Sequence, residues 1–280
     1  MRIHFVNTAE DFPIISKDMS IIQNLQEKGI CLSTVTCKRG YTLVELVVVI
    51  IIVAVLASIT MRSMRGATDI ARTEETKQEL DKLAFAIVGN QERMSGGSIT
   101  DFGYVGDVGA LPDSLGALVI NPGGYSTWDG PYIRDEFTDG SGDTEYRLDA
   151  WGKVYSYSGG VTITSSGSGS NITRQITNTV DNLIYNTVSL TVTDLDNTPP
   201  GNTYGDSIKF ILTYPDGSGS TTSATKFPGS DGYIQFDSIP IGQHQLKMIY
   251  IPSSDTSICR VTVNPASRYY KEFSLASDVW

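Results

Sequence analysis

The chain has 280 residues, 40% of them hydrophobic, with 31 Asp/Glu against 21 Lys/Arg and a formal charge of −10. That length and apolar content suffice for one or two packed cores, while the acidic balance disfavours nucleic-acid phosphate as a main partner and leaves only a local basic patch open. With two histidines, His4 and His244, and three cysteines, Cys31, Cys37 and Cys259, histidine-dependent catalysis and Cys/His metal centres have almost no material to work with.

Residues 1–40 hold five Lys/Arg and four Asp/Glu and end in Lys38-Arg39-Gly40; the remainder holds 16 basic and 27 acidic residues. Met19 is an alternative start within this stretch. Residues 43–59 then read LVELVVVIIIVAVLASI, with Glu45 as the only charge. With Tyr41 and Thr42 the run approaches the roughly 20 apolar residues that a membrane helix needs. The basic pair before it is expected to hold the amino-terminal flank in the cytoplasm and to send the rest of the chain outside the inner membrane, as a single-pass protein.

Glu45 is the anomaly. A carboxylate near the start of a lipid-buried helix costs about 2.5 kcal/mol or more, so a partner is expected. Cutting the Gly40–Tyr41 bond would create a positive amine close to Glu45 in sequence. In an assembly, the amine of one subunit could neutralise the carboxylate of its neighbour, so that losing either half strands a buried charge.

The run KRGYTLVE (residues 38–45), followed by aliphatics, resembles the class III signal of type IV pilins and type II secretion pseudopilins. The resemblance implies cleavage after Gly40 by a prepilin peptidase, methylation of Tyr41, and Glu45 as the assembly carboxylate, with Lys38 and Arg39 as the flanking basic pair. Tyr41 stands where Phe is usual, Ala54 where Gly is frequent and Arg62 where Pro is frequent. The last two departures predict a more continuous helix. An ordinary secretory signal cut near Val55-Leu56-Ala57 and an uncleaved anchor are the other readings of this stretch. An intramembrane Glu and a basic-Gly-aromatic junction fit neither well.

Beyond the apolar run, Ile70, Thr73, Leu80, Leu83, Ile87 and Met94 recur at helical steps, and Ser95-Gly96-Gly97 ends the pattern, predicting one helix over 41–94, about 80 Å long. A break at Gly66 is the alternative. Pro112 suits the first turn of a short helix with Leu115, Leu118 and Val119 inward. Residues 128–133 (WDGPYI) and 149–157 (DAWGKVYSY) read as turns, the second leading into a strand at Val154. This order resembles the head of the major pseudopilin of type II secretion, with Ala150 in place of the usual Pro. Asp139, Asp143 and Asp149 offer oxygen ligands at short spacing, but a solvated acidic turn is the preferred reading, and no metal or other cofactor is assigned.

Residues 165–170 (SSGSGS) look linker-like. Alternation then returns at Val188/Leu190/Val192 and Ile208/Phe210/Leu212, at residues 233–236 and 246–250, at Cys259/Val261/Val263, and over 270–275, which predicts an all-β sandwich. Residues 231–246 resemble carboxypeptidase-regulatory-like or transthyretin-like repeats, with Ile239 and His244 at the positions of a Leu and a Tyr. Cys259 is expected to be a buried structural thiol, His244 a satisfied core or edge histidine, and Trp280 a frayed end, with a docking anchor as the alternative.

The resulting expectation is an α+β chain. It comprises a cleaved leader (1–40), a membrane or filament-core helix (41–61), a small antiparallel β head that includes the second half of the long helix (62–160), a linker or edge segment (161–184) and a β-sandwich (185–280). The expected role is a pseudopilin-like structural subunit, not an enzyme, assembling with other pilin or pseudopilin subunits on an inner-membrane platform. No nucleophile elbow, HExxH pair or P-loop is present in the sequence. A minor pilin displaying the sandwich as an adhesin is the alternative.

Overall fold

The computed structural model describes residues 41–134 and 144–280. The expected leader with Lys38, Arg39 and Gly40, and the aspartates Asp139 and Asp143, lie outside the described residues. The chain forms two compact units, divided in sequence between Thr60 and Met61.

A 46-residue helix, α1 (Leu43–Val88), carries the apolar run. It has no proline, and it continues through Ala54, Arg62 and Gly66 without interruption, as the departures at the first two positions predict. Burial begins at Thr76 and takes in Leu80, Leu83, Ala84 and Ile87, one stripe at steps of three and four. The helix ends at Gly89, earlier than the periodicity predicts. Gly89 turns to φ +77° and its N–H bonds to the Phe85 carbonyl at 2.7 Å, a left-handed stop that favours glycine. Met94 therefore opens a short hairpin, β1 (Met94–Ser95) with β2 (Ser98–Ile99), and is exposed; Ile70 is exposed as well, since burial starts only at Thr76.

The head core gathers Leu80, Leu83, Ile87, Val105, Leu118 and Ile163. A short helix, α2 (Gly103–Val108), and a 3-10 turn at Leu115–Leu118 line it. Pro112 precedes this turn instead of opening a helix, and Ser114 takes the N-cap position. Leu115 and Leu118 face inward as expected, while Val119 is half-buried. The 128–133 turn closes over the 3-10 segment: the Trp128 indole donates to the Ala117 carbonyl at 2.9 Å and the Tyr132 N–H to that of Leu118 at 2.8 Å. The expected strand at Val154 is reduced to two isolated bridges, Leu148–Val154 and Ser156–Thr164. The run 165–170 is no free linker. It is the turn of a hairpin, β3 (Thr162–Ser165) with β4 (Ile172–Gln175), and Ser165 is buried.

The carboxy-terminal region is a sandwich of two sheets. One has the order β10-β9-β6-β7 and the other β11-β5-β8. The strands are β5 (Asn186–Thr193), β6 (Ile208–Pro215), β7 (Thr221–Lys226), β8 (Tyr233–Ile239), β9 (Gly242–Tyr250), β10 (Asp255–Val263) and β11 (Arg268–Ser274). All neighbours are antiparallel except β11 with β5. The predicted alternating residues form the core: Val188, Leu190 and Val192 meet Phe210, Leu212, Phe236, Leu246 and Val261 between the sheets. β7 was not expected, because its sequence TTSATK has no apolar alternation; it is an exposed edge strand joined to β6 by the backbone ladder.

Candidate functional site

The first residues of α1 build a reciprocal cap. Thr42 stands before the helix and Glu45 in its first turn. The Thr42 backbone N–H and hydroxyl donate to Glu45 Oε2 at 3.1 and 3.2 Å, while the Glu45 N–H donates to Thr42 Oγ1 at 3.2 Å. Two orphan amides of the helix end are satisfied at once, and a negative group sits at the positive end of the helix dipole. The T-x-x-E spacing of residues 42–45 is the sequence signal for this cap, beyond the expectation of an amine partner for Glu45. Tyr41, just ahead of the cap, is exposed.

Behind the cap, Leu46–Ile59 side chains stand exposed along the first part of α1. The helix is long and apolar enough to cross a membrane by length and composition, and none of its most apolar stretch is buried. Its few hydroxyls do not break that character. Ser58 bonds back to the Ala54 carbonyl and Thr60 to that of Leu56, so each is satisfied within the helix.

The head holds the other polar centres. Asp149, buried at 4% exposure, accepts from the N–H groups of Trp151 (3.0 Å), Lys153 (2.9 Å) and Gly167 (3.0 Å) and from the Ser165 hydroxyl (2.6 Å). Those donors occupy the carboxylate, so it organises a turn and is not a ligand in waiting; among the described residues no group of three or more His, Cys, Asp or Glu could hold a metal ion. Glu79 accepts from the Tyr155 hydroxyl at 2.6 Å and Asp107 from that of Tyr132 at 2.7 Å. Burial pushes both carboxyls above their ordinary range, although each hydroxyl pulls the other way. Burial likewise raises the Tyr104 phenol to about 12.

In the sandwich, His244 is buried with its Nε2 2.7 Å from the Pro240 carbonyl; burial lowers its pKa, partly offset by that bond. It is the satisfied core histidine that its alternation with Leu246 predicts. Cys259 is a free, half-buried thiol beside the sandwich core. Trp280 is not frayed: its indole donates to the Thr198 carbonyl at 3.0 Å and stacks on Tyr204.

Residues 36–61 match the model of the prokaryotic N-terminal methylation motif. Over 118 residues the chain is 30% identical to type II secretion system core protein G of Xanthomonas campestris pv. campestris, covering 41% of this chain and 73% of that protein. Two solved structures align in part. One is a DUF3823 family protein from Parabacteroides merdae, at 18% identity and TM-score 0.25, over 33% of this chain and 45% of that one. The other is BcpA, the major pilin subunit of Bacillus cereus, at 11% identity and TM-score 0.23, over 40% and 36%. Neither of those likenesses bears on function.

Proposed function

Since the chain belongs to the type II secretion pseudopilin family, we propose that it is cut between Gly40 and Tyr41 by a prepilin peptidase, methylated on Tyr41, and assembled through α1 into a short periplasmic filament. Its partners in this reading are the peptidase, other pilin or pseudopilin subunits and an inner-membrane assembly platform. Before the cut, Lys38 and Arg39 hold the amino-terminal flank in the cytoplasm. After it, residues 41–61 form the membrane and filament-core segment, 62–160 the head and 185–280 the displayed sandwich.

The observation that carries this reading is Glu45 Oε2 within 3.1 Å of the Thr42 N–H at the exposed start of an apolar helix. A carboxylate has about four lone-pair sites. Thr42 engages Oε2, so Glu45 can cap its own helix and still accept an amine. Cutting after Gly40 puts a cation one residue ahead of the cap. In lipid or in a filament core, where water is scarce, that amine and a carboxylate attract strongly, and the amine of one subunit can reach Glu45 of the next. The task is mechanical: membrane-resident helices are withdrawn and stacked, and the charge pair sets their register.

Mass spectrometry of the amino terminus of the protein isolated from cells tests the processing step. An N-methyl-tyrosine at residue 41 is expected; a working protein that retains residues 1–40 would sink the proposal. Glu45→Ala should still be cut but should not enter filaments, and normal incorporation of that variant counts against the assembly role.

A further inference from the structure

The two outer faces of the sandwich differ in charge and in texture. On the β10-β9-β6-β7 sheet, register puts Ile258, Lys247 and Ile211 in one cross-strand row, and Ile249 and Lys209 in the next. Arg260 stands on the same face of β10. No outward-facing position of these four strands carries a carboxylate, in a chain with 27 acidic residues after position 40. Three cations and three isoleucines thus share one sheet face, with Ile258 59% exposed and Ile211 and Ile249 half-buried.

The outer face of the β11-β5-β8 sheet is net acidic. It presents the carboxylates Asp237 and Glu272, one cation, Arg268, and two exposed tyrosines, Tyr233 and Tyr270. The Tyr270 hydroxyl donates to Glu272 Oε1 at 2.8 Å and lies 3.2 Å from Thr191 Oγ1. That of Tyr233 donates to Gln235 Oε1 at 2.7 Å and lies 3.0 Å from Ser189 Oγ. These partners all sit on the same sheet face, so each phenol is held down along the sheet and its ring offers a broad apolar surface beside a carboxylate.

We infer that the cation-and-isoleucine face of one copy docks on the tyrosine-and-carboxylate face of a second copy of this chain, so that sandwiches stack head to tail along the assembly. Charge complementarity favours this pairing: Lys209, Lys247 and Arg260 meet a face whose two carboxylates, Asp237 and Glu272, outnumber its one cation, Arg268, whereas pairing the cationic face with itself sets only like charges together. Each isoleucine needs an apolar counterpart, which the tyrosine rings supply and a phosphate backbone does not. A contact between two different faces repeats without closing unless its rotation closes a ring, so it is compatible with an open filament. The inference rests on the filament reading above and adds a second contact to it, remote in sequence from α1.

The test uses the full-length chain, produced with its peptidase, with Cys31, Cys37 and Cys259 replaced by serine. One copy carries Ile258→Cys and a co-expressed copy carries Tyr233→Cys; a short bis-maleimide then links neighbours in cells, and sheared filaments are pelleted in parallel. Mixed 258–233 products with pelletable filaments are the expected result. Lys247→Glu on the first copy should cut their yield at least fivefold, and adding Glu272→Lys to the second should restore most of it. Filaments without 258–233 products, or with 258–258 products instead, overturn the docking and leave the filament reading standing. Mixed products without any filament support the docking and overturn the filament reading. Neither product nor filament overturns both.

Discussion

Asp149 gathers four donors from two separate stretches of chain: Trp151 and Lys153 in the turn that follows it, and Ser165 and Gly167 at the end of β3 and just beyond it. Nearby, the Ala150 N–H donates to the hydroxyl of Thr76 on α1 at 3.2 Å, which ties the same turn to the helix. A buried donor left without a partner costs about 1–3 kcal/mol. Asp149→Ala should therefore destabilise the unit that starts at Met61 by about 3 kcal/mol or more, read as a lower urea midpoint at unchanged slope. Asp149→Asn, which keeps the shape but offers fewer acceptor sites, should fall between the two. The Thr42–Glu45 pair separates two roles in the same way. Thr42→Val removes the cap and should cost the helix start about 1 kcal/mol, seen as faster amide exchange over residues 43–46. It keeps the carboxylate, so it should impair assembly less than Glu45→Ala does. Equal loss of assembly in the two variants would make capping, not charge pairing, the function of Glu45.

At the level of elements, apolar periodicity made α1 and six of the seven sandwich strands legible, because burial selects residues at steps of 3.6 or 2. It misplaced the end of α1, since Met94 keeps helical spacing by chance while backbone geometry stops the helix at Gly89. A Cβ on Gly89 would lie 2.0 Å from the Asp101 carbonyl oxygen, at φ +77°. Gly89→Ala should cost about 1–3 kcal/mol from backbone strain alone, and more from the clash, as a thermal-melt comparison will show. Periodicity could not find β7, whose pairing is purely main-chain, nor the hairpin around 165–170, where a Ser/Gly run is held by Ser165 and Gly167 on a distant aspartate. The cap at Thr42–Glu45 is written in the T-x-x-E spacing, so the carboxylate has an ordinary local partner as well as its unusual place in an apolar run. The amino-terminal site was thus legible from residue types, and its hydrogen-bond geometry was not.

Across the unit from Met61 onward, the head and the sandwich respond to pH in opposite senses. Burial lowers His244 below its ordinary 6.5, so its contribution to stability is complete above that value and is lost as pH falls through the lowered one. Asp107 and Glu79 are raised from 3.8 and 4.5, so theirs is complete below those values and is lost as pH rises. His244→Gln should flatten the loss of stability below about pH 6.5, and Asp107→Asn the loss above about pH 4. The two regions are nevertheless joined closely. Ile241, from the turn between β8 and β9, is fully buried in the head core, and its N–H bonds to the Leu183 carbonyl at 2.8 Å. The Gly219 carbonyl, in the β6–β7 turn, accepts from the Ser126 N–H at 2.8 Å, and a Cβ on Gly219 would lie 2.1 Å from the Tyr125 ring, at φ +87°. Ile241→Ala deletes a plug shared by both regions and should cost about 2–5 kcal/mol, as large-to-small core changes do. Gly219→Val attacks only the seam, so it should leave both cores folded while loosening their contact. The expected pattern is one cooperative melt for Ile241→Ala at a lower midpoint, and two separated transitions for Gly219→Val; a single wild-type-like melt of Gly219→Val would mean that the seam at Gly219 does not couple the two regions.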